Sequence, residues 1–163
     1  FDAYEARVRN YVSQTDVYMS ALVQVGVNMK KGGVMITKDP FDDRARDVVY
    51  ISAVCGHNSK VVDNDGIPEQ LLYSQMANSI TVKTLSQQQS ALEFDEKGDL
   101  RPARETCAGK DQRVLTNVEA RSLAKAAAAI KRAFGGSTAQ DIEWGIIDGK
   151  VFIVQARPYV EKK

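Results

Sequence analysis

The chain is poor in cysteine and histidine and has no long apolar run. Its two cysteines, Cys55 and Cys107, stand far apart with no CxxC spacing, which argues against a disulfide framework and predicts free thiols in a reducing compartment. One histidine, His57, cannot by itself build a histidine-based metal site. No stretch approaches the roughly 20 apolar residues of a membrane-spanning helix, and the opening FDAYEARVRN lacks the charged and apolar regions of a signal peptide. The expectation is a cytoplasmic protein with no membrane partner. Net charge is scarce too: 22 basic against 21 acidic side chains leave no global field to favour nucleic acid.

What remains is an ordinary soluble composition, 44% hydrophobic and 26% charged over 163 residues. That length suits one domain or two small lobes and buries roughly 70% of the unfolded chain's surface. The chain opens inside an amphipathic pattern (Tyr4, Val8, Tyr11, Val12) that reads as a helix already under way, so it is expected to be part of something longer.

Met19 to Val27 is a short apolar run with β-branched residues, which predicts a buried strand interrupted only by Gln24. KKGG at 30–33 reads as its turn, VMIT at 34–37 as a second strand stopped at Asp39-Pro40, and VVYISAV at 48–54 as a third. Residues 56–66 read as a loop with a short strand at 60–62. Residues 71–83 suit two short strands or a helix equally, and 86–111 reads as a solvated excursion. Thr116 or Asn117 can cap a helix whose Glu119 lies in the first turn and whose stripe is Leu123, Ala126, Ala127, Ile130 and Phe134, ended by Gly135-Gly136.

The segment AQDIEWGIIDGKVFIVQARP at 139–158 reads as a hairpin. Its even positions Ile142, Trp144, Ile146, Phe152, Val154 and Ala156 are apolar, while Glu143, Gln155 and Arg157 are odd. A two-residue loop at Asp148-Gly149 would mix the faces, so parity predicts a three-residue loop, 147–149, with a bulge at Gly149. Glu143 and Gln155 then become diagonal neighbours, roughly 7–8 Å apart at the backbone. A carboxylate and an amide oxygen are hard donors suited to Mg²⁺, and an adjacent guanidinium suits phosphate. The plainer alternative is a cross-strand ion pair between Glu143 and Arg157 on a wet face.

QDIEW, the DGK turn and IVQARP together resemble the end of the nucleotide-binding domain of the pyruvate phosphate dikinase and phosphoenolpyruvate synthase family. ALVQVGV and GGVMITKDP resemble earlier segments of that family in the same order, and the match spans nearly the whole chain. The resemblance implies an α+β, ATP-grasp-like lobe: a mainly antiparallel sheet with flanking helices and a C-terminal β-hairpin, the second lobe over residues 1–163. It implies ATP and Mg²⁺ as cofactors, with Glu143 and Gln155 as metal ligands and Arg157 on phosphate. These three are the candidate catalytic residues. Gln24, Val25 and Val27 would belong to a linker strand whose backbone meets the adenine.

One departure stands out. Where the family has GLGE, this chain has GHNS at 56–59, with Ser59 in place of the carboxylate. The family's phosphorylated histidine lies on a separate domain in a T-x-x-x-x-S-H pattern absent here, so His57 is read as a loop residue without chemistry. The implied partners are a first ATP-grasp lobe, a phosphohistidine domain and a pyruvate-binding barrel, and without them this stretch is expected to be inactive. Two other readings remain open. One is the nucleotide lobe of a glucan water dikinase or rifamycin phosphotransferase; the other is a degenerate, non-catalytic binding module.

Overall fold

The computed structural model describes residues 2–15, 18, 21–45, 47–59, 67–103 and 107–161. In chain order the elements are α1 (Asp2–Arg9), β1 (Lys31–Ile36), β2 (Val48–Cys55), β3 (Glu69–Ser74), β4 (Ser79–Thr84), β5 (Leu92–Phe94), β6 (Leu100–Pro102), α2 (Asn117–Ala133), β7 (Gln140–Ile147) and β8 (Lys150–Pro158). Six strands form one antiparallel sheet in the order β4-β3-β2-β1-β7-β8, and β5 pairs with β6 apart from it. The expected α+β class with a C-terminal hairpin is what the chain adopts. Residues 71–83 resolve into parts of β3 and β4, the strand reading rather than the helical one.

One face of this sheet is closed. Met35, Ile51, Leu71, Ile142 and Trp144 are buried on it against Leu123 and Ala127 of α2. The helix forms for the reasons its sequence gives: a run of alanines with the highest intrinsic propensity, and a capping box in which Thr116 Oγ1 accepts from Glu119 N while Glu119 reaches back to Thr116 N. Glu119 also accepts from Lys31 Nζ at 2.7 and 2.9 Å, which pins the start of α2 to β1. Burial pushes that carboxyl up, but the hydrogen bonds from Lys31 and Thr116 outweigh it and hold it below its usual value. Of the expected stripe, Leu123 and Ala127 are buried and Ala126 and Ile130 half-buried, whereas Phe134, past the last turn, is exposed.

KKGG is not a turn. Gly32 and Gly33 lie within β1, and their lack of a side chain is what lets neighbours approach. A Cβ on Gly33 would stand 2.0 Å from Ser52 O and 2.8 Å from the Trp144 ring; one on Gly32 would meet Met29 Sδ at 2.5 Å and Asn58 N at 2.9 Å. The first glycine admits a segment to one face of the sheet and the second admits the tryptophan to the other.

Nor is the apolar run before β1 a buried strand over residues 21–27; Met19 and Ser20 lie outside the described residues. Residues 21–29 belong to no strand, and Leu22, Val23 and Val25 are 89, 94 and 87% exposed. An apolar run becomes core only where something covers it, and no described residue covers Leu22, Val23 or Val25. In the same way α1 leaves Tyr4 and Val8 in solvent, with Tyr11 and Val12 beyond it. The short strand expected at 60–62 lies outside the described residues.

Residues 86–111 are less solvated than their charge suggests. Ser86, Gln88, Ala91 and Ala108 are buried. Gln88 receives Cys55 N on Oε1 at 2.7 Å and donates to Cys55 O at 2.8 Å, standing in as a strand partner for the end of β2. Ser86 exchanges backbone hydrogen bonds with Asp111 and Gln112, which brings Cys107 to the same place. The expectation of free thiols therefore fails: Cys55 and Cys107 form a disulfide across 5.5 Å between Cα atoms. Their wide sequence spacing concealed a short spatial one. Cys107→Ser, or reduction, is expected to cost about 2–4 kcal/mol of stability, read from unfolding with and without reductant.

Candidate functional site

The hairpin turn is a two-residue one. Asp148 and Gly149 both take positive φ (49° and 75°), the mirror-image turn whose twist matches antiparallel strands, so Ile147 pairs with Lys150. The extra residue demanded by parity is present but lies elsewhere: Trp144 pairs with Ile153 and Glu143 with Gln155, leaving Val154 as a bulge in β8. This corrects the three-residue loop and the uniform even face. Before the bulge, Val151 and Ile153 share the face of Ile146 and Trp144, and Phe152 opposes Gly145 on the other. Beyond it Gln155 and Arg157 stand directly opposite Glu143 and Asp141, closer than the diagonal relation expected of Glu143 and Gln155.

The open face thus carries Glu143 and Gln155 as cross-strand partners, with Val34 of β1 on the other flank of Glu143. Glu143 is half-buried and Gln155 exposed. Neither the expected ion pair between Glu143 and Arg157 nor a free guanidinium is observed. Arg157 instead donates Nε and Nη2 to Asp141 Oδ2 at 3.0 and 2.9 Å. Both donors fall on one carboxylate oxygen, so the guanidinium, with five N–H groups, keeps others for a ligand. Asp141, two residues before Glu143, was missed by the sequence reading; period-two alternation was the signal that could have found it. Asp141 and Arg157 line a cavity of about 750 Å³ with Lys38, Phe41 and Tyr159, where Lys38 is already held by Asp43 and Glu161.

The divergent segment after β2 lies against this face. Gly56 N donates to Lys30 O and His57 N to Leu92 O, each at 2.8 Å, and the next residue, Asn58, donates Nδ2 to Glu143 Oε2 at 3.0 Å. The His57 ring meets Phe94 edge-on at 4.9 Å and its Nδ1 accepts from Ser59 N. Burial pushes the His57 imidazole below its ordinary pKa, against an opposing pull from the Glu143 carboxylate. Ser59 Oγ is buried and has no hydrogen-bond partner among the described residues.

Of the expected linker residues, Gln24 donates Nε2 to Val154 O at 3.2 Å, which anchors the segment at the bulge. Val25 is exposed and Val27 half-buried, with its carbonyl accepting from Met29 N. Asn28 Oδ1 accepts from Phe94 N, so the segment passes between β8 and β5 beside the Glu143 face. Among the described residues no three His, Cys, Asp or Glu side chains gather as a metal cluster, and no helix is long and apolar enough to cross a membrane.

An antiparallel sheet closed by a helix on one face, with Glu143 opposite Gln155 and Asp141 opposite Arg157 on the other, makes an α+β lobe. The chain belongs to the family described as pyruvate phosphate dikinase, AMP/ATP-binding domain, whose sequence model matches residues 2–163. It is 30% identical over 147 residues to the probable phosphoenolpyruvate synthase of Methanocaldococcus jannaschii, covering 90% of this chain and 12% of that protein. It is 29% identical over 170 residues to the phosphoenolpyruvate synthase of Pyrococcus furiosus, covering 96% of this chain and 20% of the relative. A rifampicin phosphotransferase from Streptomyces sviceus is 28% identical over 152 residues, or 93% of this chain and 17% of that protein. The chain therefore spans between about an eighth and a fifth of the length of these relatives.

Proposed function

We propose that this lobe binds the phosphates of ATP through Mg²⁺ and serves a phosphoenolpyruvate-synthase-like dikinase, which passes phosphate from ATP to a histidine on another domain and then to pyruvate. The observation that carries the reading is the direct opposition of Glu143 and Gln155 on the open face. The donor set fits the ion: Mg²⁺ takes one or two protein oxygens and fills its other positions with water and phosphate. Glu143 and Gln155 would hold it, and when bound it supplies neutralisation of charge on the transferring phosphoryl group. Arg157 adds charge at the phosphates from the far side of Gln155, steadied by Asp141. The backbone at Gln24, Val25 and Val27 would offer amide groups to adenine, with Gln24 tethering that strip to β8.

The bare apolar residues Leu22, Val23 and Val25 fit a lobe that meets a second one across the nucleotide, as ATP-grasp architecture requires. The histidine domain and the pyruvate barrel would lie in the part of the protein that the relatives' lengths leave room for. The likeness to a rifampicin phosphotransferase supports a second reading in which the ATP chemistry is kept and the acceptor differs.

The test uses the full-length protein with Mg²⁺ and ATP labelled in the β-phosphate. Acid-labile label on the protein is the expected result. Nucleotide bound without label would replace the dikinase by another phosphotransfer, and absence of binding would make this a non-catalytic lobe.

A further inference from the structure

We propose that Asn58 is a positioning residue that sets the carboxylate of Glu143 for its cation, an inference that rests on reading Glu143 as a cation ligand. Asn58 is only 3% exposed, and its carboxamide ends on Glu143 Oε2 at 3.0 Å. The orientation of that amide is fixed by chemistry: an ionised carboxylate only accepts, so the NH₂ group and not the carbonyl must face it.

A glutamate has three side-chain torsions, and holding it in one arrangement costs rotamer entropy. Its cross-strand neighbours Val34 and Gln155 carry no charge to hold it. Asn58 removes that freedom before any ligand arrives and occupies one oxygen, leaving Oε1 for coordination. Because the donor is neutral, the full negative charge of Glu143 stays available; a lysine in its place would cancel it.

The backbone beneath Asn58 is rigid enough for the task. Gly56 is tied to Lys30 and His57 to Leu92, and Gly32 is side-chain-free at the point where Asn58 N comes down on β1. The GHNS segment thus reaches Glu143 through its third residue rather than its fourth, while the half-buried Ser59 has its Oγ shielded from solvent.

Partners that orient a metal ligand typically account for 10- to 100-fold in metal affinity. The full-length protein carrying Asn58→Leu, which keeps the branched four-atom shape and removes the donor, should need about 10- to 100-fold more Mg²⁺ for half-saturation in calorimetric titration with a non-hydrolysable ATP analogue present. Its affinity for that analogue without divalent cation should match the wild type, and a cooperative melting transition should show it folded. Asn58→Ala, should the leucine variant misfold, carries the same expectation for Mg²⁺ and for metal-free nucleotide affinity, with a lowered melting temperature from the lost packing. Unchanged Mg²⁺ affinity in a folded variant overturns the role of Asn58 alone. Loss of metal-free nucleotide affinity in equal measure would make Asn58 merely structural and overturn it too. A wild type that binds the analogue but no Mg²⁺ overturns this inference together with the reading of Glu143.

Discussion

Glu143→Ala in the full-length protein is expected to reduce Mg²⁺-dependent phosphotransfer by about 10²- to 10³-fold, the scale on which removing one group that stabilises developing charge is felt. The side chain sits half-buried on the open face, outside the apolar cluster, so its loss opens no core cavity. One structural debt does follow: Asn58 Nδ2 would lose its acceptor, and an unpaired buried donor costs about 1–3 kcal/mol. Glu143→Gln, which keeps the shape and drops the charge, controls for that. If Glu143→Gln melts near the wild type and both variants lose transfer, charge at this position is what the reaction uses. Undiminished transfer in Glu143→Ala would remove Glu143 from the site; undiminished transfer in Glu143→Gln alone would show that an oxygen donor suffices there without the charge.

The neighbouring residue should behave in the opposite way. Trp144 is fully buried, in contact distance of Gly33 and packed in the cluster that α2 covers. Trp144→Ala should therefore destabilise by about 3–5 kcal/mol through lost burial and a residual cavity, read by denaturant unfolding. A loss below about 1 kcal/mol would mean that β7 presents its faces the other way round, and Glu143 would then belong to the core. The two substitutions are adjacent in sequence and opposite in effect because successive strand residues point to opposite faces.

Alternation is also what made much of the molecule legible in the sequence. It gave the hairpin, and with it the placing of Glu143 and Gln155 on one face. Cap chemistry at Thr116 and Glu119 gave the start of α2. The failures share a physical cause, which is that local pattern carries no information on what lies across from it. Leu22, Val23 and Val25 look like core and have no described residue over them. Cys55 and Cys107 look independent and are brought together by Gln88 and the Ser86 contacts. KKGG looks like a turn, although its glycines serve close approach inside a strand. Asn58 could not be read at all, since its partner is 85 residues away.

The bulge at Val154 sets a counting rule for anyone who cuts or lengthens this hairpin. Eleven residues separate Glu143 from Gln155, four on β7, two in the turn and five on β8. Adding or removing a pair at the turn would leave the carboxylate and the amide on the same side. A single-residue change at the turn would send Gln155 and Arg157 into the packed face, unless the bulge itself absorbed it. Val154 is thus the one surplus position: without it the ladder would run regularly, with Glu143 still opposite Gln155.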